Sequence, residues 1–169
     1  GRQALSRNTC GGCNIALGYI SHASNISGGS NITMGFRAFC QSTIGCHNIV
    51  FGCEALRYNS GSTNNSNIAI GQQALYFNLI GNSNVAIGKC AGYSETGSSR
   101  LHIANSASCS LIYGEFNNDL LKICGKQQVR DDIEILTISC GLILRSPDGT
   151  KYRITVPNGG ATVTITPVP

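Results

Sequence analysis

Short apolar triplets with a small or β-branched centre recur along the first half of the chain: Ile15-Ala16-Leu17, Ile32-Thr33-Met34, Ile49-Val50-Phe51, Ile68-Ala69-Ile70 and Val85-Ala86-Ile87. Alternation of this kind is the period of a strand whose successive side chains point to opposite faces. The large side is expected to seek a core, and the small side to let another backbone approach closely. Each triplet is headed by an asparagine (Asn14, Asn31, Asn48, Asn67, Asn84) and closed by a glycine (Gly18, Gly35, Gly52, Gly71, Gly88), in steps of 17, 17, 19 and 17 residues.

Two further landmarks keep the same register. The phrase Gly-x-x-Ala-(Leu/Phe) follows at Gly1 to Leu5, Gly35 to Phe39, Gly52 to Leu56 and Gly71 to Leu75, with degenerate copies at Gly18 and Gly88. Gly11, Gly28, Gly45 and Gly81 stand three residues before their asparagines, with Asn64 at the fourth place along the series. A fixed short period with turn glycines predicts an all-β fold, a short-strand β-solenoid or β-roll of about five 17-residue coils. Two short strands and two corners are expected per coil, with the glycines supplying positive φ. Coils stack about 4.8 Å apart, so five rise only about 24 Å. The repeated asparagines are then expected to hydrogen-bond along the stack, as amide ladders do.

Each coil offers few large apolar groups, for example Ile68, Ile70, Leu75 and Tyr76. A homotrimer, with Ile15, Ile32, Ile49, Ile68 and Val85 in one inward line around a shared axis, buries such a coil most easily; a narrow monomeric solenoid is the alternative. Residues 1–95 form the repeat segment. Residues 96–131 read as a cap or adaptor with altered spacing, and 132–169 as a C-terminal β-meander with turns at Pro147-Asp148-Gly149 and Asn158-Gly159-Gly160. The chain opens in the second phrase of a unit, as a piece of something longer would. It shows no signal peptide and no apolar run of the roughly 20 residues that span a bilayer.

Charge narrows the functions. Only 12% of residues are charged, and the net charge of +4 comes from residues 1–100, which carry six bases and two acids. One base per coil is too thin a stripe for nucleic acid, which calls for clustered Lys and Arg. The nine cysteines are odd in number and include one isolated C-x-x-C, Cys10 to Cys13, with no second cluster to complete a zinc site. They read as free thiols of a protein assembled in a reducing cytoplasm, with a bridge or metal between chains as the alternative.

Catalytic groups are sparse. Glu54 and Glu95, the two carboxylates of residues 1–100, lie more than two coils apart, too far for the acid pair of a glycoside hydrolase within one chain. His22, His47 and His102 share no repeat position and no local nucleophile motif, and read as packing or surface residues. Asp131, Asp132 and Glu134 read as a charged turn, with an ion site as the sharper option. The repeat region contains no Asp, which excludes calcium-binding nonapeptide rolls, and the mid-triplet series Ala16, Thr33, Val50, Ala69, Ala86 excludes the threonine array of an ice-binding face. No enzyme, metal or cofactor is expected.

The phrases "NSNIAIGQQALYFN" and "NSNVAIGKCAGY" resemble the tandem N-x-A-(I/V)-G-x-x-A-L repeats of tailed-bacteriophage tail fibres and baseplate fibres. They are also similar, more loosely, to the head repeats of trimeric autotransporter adhesins. "LILRSPDGTKYRITVPNGG" resembles an ending seen in phage structural proteins. The resemblance implies a non-catalytic, homotrimeric virion fibre, assembled in the host cytoplasm, contacting other tail or baseplate proteins and a host-surface glycan or protein, without membrane insertion. The alternatives are a bacterial trimeric surface adhesin, which would be expected to carry a C-terminal membrane barrel, and a fibre-borne glycan depolymerase with acids paired across subunits. Candidate ligand contacts are Arg57, Tyr58, Tyr76 and Phe77, in the variable loop after the second phrase; the alternative role for these aromatics is packing between coils.

Overall fold

A computed structural model describes residues 1–60, 66–126, 128, 142–146, 148, 150–155 and 164–168. They fall in two compact units, Gly1–Lys126 and Gln127–Pro169. The first is a parallel β-solenoid of about five turns, with one three-residue strand per repeat: β1 (Ile15–Leu17), β2 (Ile32–Met34), β3 (Ile49–Phe51), β4 (Ile68–Ile70) and β5 (Val85–Ile87). Each strand pairs with the equivalent strand of the next coil without slippage, Ile15 opposite Ile32, Ile32 opposite Ile49, Ile49 opposite Ile68 and Ile68 opposite Val85. The 19-residue step is therefore absorbed outside the strands, in the connection that includes residues 61–65.

The stack continues beyond the last recognisable repeat. β6 (Arg100–Ile103) lies parallel to β5, with His102 opposite Ala86, so the residues expected as a cap contain a sixth rung. Two antiparallel strands, β7 (Ile112–Glu115) and β8 (Leu120–Ile123), then close the sheet. In the second unit β9 (Leu142–Arg145), β10 (Lys151–Thr155) and β11 (Thr164–Val168) pair antiparallel in the order β11-β10-β9. Between β9 and β10 the Asp148 carboxylate accepts the Thr150 N–H at 2.9 Å. Residues 147, 149 and 156–163, and with them most of the two expected turns, lie outside the described residues.

The facing of the triplets reverses the expectation. Thr33, Val50, Ala69 and Ala86, the strand centres, are completely buried, whereas the flanking Ile15 and Leu17 are 53% and 58% exposed. At the triplets the coil's interior takes only small or β-branched side chains, and the larger apolar groups stand outside in two aligned columns. The rest of the interior comes from the second phrase, through the columns Ser21, Ala38, Ala55, Ala74, Ala91 and His22, Phe39, Leu56, Leu75.

That second face is not a regular strand. Its backbone still bonds from coil to coil, as His22 N–H to Ala38 O at 2.9 Å, Phe39 N–H to Ala55 O at 2.9 Å and Leu75 N–H to Ala91 O at 3.0 Å. Yet Leu5, His22, Phe39, Leu56 and Leu75 all have φ between 48° and 51°, and Gln3, Ile20, Arg37, Glu54, Gln73 and Cys90 are also left-handed. Non-glycine residues enter this region at a cost of about 1 kcal/mol or more each. Here burial of the side chain and bonding to two neighbouring coils offset it. Sequence reasoning placed the positive φ at glycines alone, because propensity gives no warning of a leucine held in this region.

At Gly18, Gly35, Gly52 and Gly71 φ lies between 129° and 137°, and a Cβ at Gly71 would sit 2.4 Å from the Gly88 carbonyl oxygen. Substituting Gly71 by Val is expected to lower stability by at least about 3 kcal/mol, from backbone strain plus that clash, whereas Gln72→Val, at an exposed neighbour, should cost under about 1 kcal/mol. Urea unfolding of the two variants checks this.

His22 is fully buried in the leucine column, its ring tilted 34° against Phe39 at 4.6 Å, with neither ring nitrogen hydrogen-bonded. Burial lowers its pKa from 6.5 to about 4. As pH falls through 6.5 the unfolded chain takes up a proton that the folded chain refuses until about 4. Stability is thus lost across that window, by about 3 kcal/mol in all, and is unaffected by this group at neutral pH and above. Unfolding curves between pH 7 and 4 should show the loss, and His22→Leu should remove this component while raising stability at neutral pH.

Candidate functional site

The five repeated asparagines form a ladder. Asn31, Asn48, Asn67 and Asn84 are fully buried, and each donates its backbone N–H to the side-chain oxygen of the asparagine one coil earlier, at 2.9 to 3.0 Å. The side-chain amides of Asn14, Asn31, Asn67 and Asn84 donate in turn to the carbonyls of Gly28, Gly45, Gly81 and Gly97 at 2.7 to 3.0 Å. The bond along the stack is thus chiefly backbone to amide; amide-to-amide contacts of 3.0 Å join Asn31 to Asn14 and Asn48 to Asn31. Arg100 ends the ladder, its N–H reaching Asn84 at 2.8 Å.

A second polar column, which sequence reading passed over, occupies Asn8, Asn25, Ser42, Asn59 and Asn78. Asn25, Ser42 and Asn78 accept the N–H of Gly28, Gly45 and Gly81, three residues on, at 2.9 to 3.2 Å and so set the corner. The signal was present as (Asn/Ser)-x-x-Gly ahead of four of the five triplets, Asn59 being the exception.

All four candidate ligand residues come together. Tyr76 stacks on Tyr93 at 5.0 Å and 3°, Phe77 packs edge-on to Tyr76 at 4.7 Å, and Tyr58 lies over Phe77 at 5.2 Å. The Arg57 guanidinium sits 5.0 Å from the Tyr58 ring, 3.2 Å from the Tyr76 hydroxyl, and is paired with Glu54. Glu54 also accepts from the Gln73 amide at 3.0 Å. These contacts divide the roles. Tyr76 is 8% exposed and packs between coils, its phenol held above the ordinary range by burial first and by its bond to Tyr58. Arg57 is engaged by Glu54 and two rings. Phe77 remains 39% exposed although it packs against Tyr58, Tyr76 and Tyr93. A second aromatic step, Tyr19 stacked on Phe36 at 5.7 Å with Arg37 beside it, was missed because it falls in another column, just after the glycine.

Comparison with protein families, with curated proteins and with solved structures found no match, so similarity assigns this chain to no family.

Among the described residues no cysteine is in a disulfide; Cys40 is buried and Cys10, Cys13, Cys109 and Cys124 are exposed, and burial pushes the Cys40 thiol up. Among the described residues no three His, Cys, Asp or Glu groups gather as a metal site would need, and no helix is long and apolar enough to cross a membrane. Asp131, Asp132 and Glu134 lie outside the described residues. His47 is exposed. Glu95 and His102, which nothing in the sequence joined, meet at the end of the stack with 3.0 Å between Oε2 and Nε2.

Asn67→Ala removes the acceptor of the Asn84 N–H and the donor to Gly81 O in a fully buried site. Thermal unfolding should register a loss of about 2 to 4 kcal/mol. Ser83→Ala, at the exposed residue just ahead of Asn84, should cost less than half of that.

Proposed function

We propose that the chain is a structural segment of a tailed-phage virion fibre, a tail fibre or baseplate-attached fibre, that assembles as a homotrimer and serves attachment to a host surface. One observation carries the reading: two continuous columns of large apolar side chains outside the sheet, Ile15-Ile32-Ile49-Ile68-Val85 and Leu17-Met34-Phe51-Ile70-Ile87, half-buried or exposed at every rung. An apolar stripe of this length on a lone chain calls for cover. Identical copies supply it in register, because every rung repeats at the same rise, and three chains around one axis give each stripe two neighbours. The tandem N-x-A-(I/V)-G-x-x-A-L phrases support the fibre assignment, and the aromatic cluster, half a coil along the chain from the triplets, supplies a face for sugar rings or an acidic group.

Mass photometry is expected to give three chain masses, and Ile68→Asn with Ile70→Asn to give folded monomers with unchanged circular dichroism. A parent chain that stays monomeric at micromolar concentration defeats the trimer. Attachment is measured separately, by binding of the labelled parent to bacterial envelopes. Tyr58→Ala with Phe77→Ala should weaken it at least tenfold, and Arg57→Ala rather less, because Arg57 is already paired. Unchanged binding would clear the cluster of this role.

A further inference from the structure

The last coil departs from the repeat in three columns at once, and the departures meet. Where earlier coils carry Leu5, His22, Phe39, Leu56 and Leu75, the last carries Gly92; where they carry Asn59 and Asn78, it carries Glu95; where they carry Val50, Ala69 and Ala86, it carries His102. At Gly92 a Cβ would come 3.1 Å from His102 Cδ2 and 3.0 Å from Leu75 Cδ2, so the missing side chain leaves the room the imidazole uses. Glu95 keeps the corner bond of its column, accepting Gly97 N–H through Oε1 at 2.6 Å, and has Oε2 left for His102 Nε2 at 3.0 Å. The other ring nitrogen, Nδ1, is 2.8 Å from the Ser110 hydroxyl, brought in by the connection from β6 to β7. Tyr113 closes one side of the ring edge-on at 5.1 Å.

Covering the end of an apolar stack requires only apolar groups. Here three linked polar groups instead border an open cavity of about 230 Å³, whose other walls include Tyr93, Ser94, Ser106, Ser108 and Cys109. His102 and Glu95 are 11% and 17% exposed, dry enough for their bond to be strong, and the bond from His102 is the largest influence holding the Glu95 carboxyl below its ordinary range. An ionised Glu95 fixes the proton on Nε2 and turns the Nδ1 lone pair toward Ser110, the division of roles that activates a serine. Among the described residues the N–H groups of Ala107, Ser108 and Cys109, on the exposed loop walling the cavity, donate to no acceptor, and oxyanions are stabilised by donors of this kind.

We propose that Ser110, His102 and Glu95 form a nucleophilic site that hydrolyses short-chain carboxylic esters. Ser110 Oγ attacks the ester carbonyl as its proton passes to His102 Nδ1. The tetrahedral oxyanion collapses, the C–O bond to the alcohol breaks, and His102 returns the proton to the departing alkoxide. Water then attacks the Ser110 acyl ester as His102 Nδ1 takes its proton; the acyl–Oγ bond breaks, His102 returns the proton to Ser110 Oγ, and the carboxylic acid leaves. The small polar cavity suits a short acyl group on a polar alcohol and excludes long chains. This activity is independent of the fibre reading and departs from the non-catalytic expectation drawn from the repeats, which was blind to Ser110.

The intact protein is treated with a fluorophosphonate probe, and the rate of adduct formation at each serine is followed by peptide mass spectrometry. Ser110 should be labelled roughly 100-fold faster than any other serine, and p-nitrophenyl acetate should be hydrolysed with loss of turnover in Ser110→Ala. Glu95→Gln keeps an oxygen for Gly97 and so preserves the corner; it should slow both reactions at least tenfold with unchanged thermal unfolding. Absence of selective labelling at Ser110, or a labelling rate indifferent to Glu95→Gln, overturns the proposal.

Discussion

Every part of the solenoid depends on one constraint: a backbone bonded to its own copy about 4.8 Å away must place each side chain directly over its equivalent. A residue is therefore tested against its neighbours in the column rather than against its neighbours in sequence. The buried asparagine ladder satisfies this most fully, since the Asn67 side chain accepts the Asn84 N–H of the next coil and donates to the Gly81 carbonyl at that same coil's corner. Leaving either group unpaired in such an interior is costly, whereas the net gain per bond is modest. The ladder thus acts mainly by penalising misregister. A coil slipped by one residue would leave an amide and a carbonyl unpaired at every rung.

The same constraint explains the tolerance of left-handed backbone at leucine and phenylalanine. Along the Leu5, His22, Phe39, Leu56, Leu75 column, neighbours above and below fix the conformation through backbone bonds, and the side chain has nowhere else to go. It also exposes the weak place in that column. His22 fits by shape, as a ring on Phe39, but its nitrogens are orphaned, which makes it the point where acid enters the stability of the fold. At the other end, where no further coil imposes identity, the chain is free to depart, and Gly92, Glu95 and His102 do so together.

Packing and presentation are separated on the surface in the same way. Tyr76 and Arg57 are committed to contacts between coils, while Phe77 and the outer aliphatics are left facing solvent. Packing along the column covers part of the Phe77 ring and leaves the rest exposed, so a structural column and a recognition surface coexist in adjacent residues.

The sequence by itself determined the period, the strand triplets, their pairing in register and the identity of the ladder, because these follow from repetition and from local alternation, which a single chain displays openly. It also marked Gly18, Gly35, Gly52 and Gly71 as corners, since no other residue takes φ near 130° there without a clash. Which side of each triplet is inside was decided only by tertiary structure: alternation fixes that two faces differ, while the packing of Phe39, Leu56 and Leu75 in the same coil fixes which one fits beside them, and it admits Val50 and Ala69 but not Ile15 or Leu17. The left-handed leucines, the pairing of the Leu101-His102-Ile103 alternation onto β5 as a sixth rung, and the meeting of Glu95, His102 and Ser110 were likewise invisible along the chain. Each is settled by what lies one coil away or across the open end of the stack, and neither distance is written in residue order.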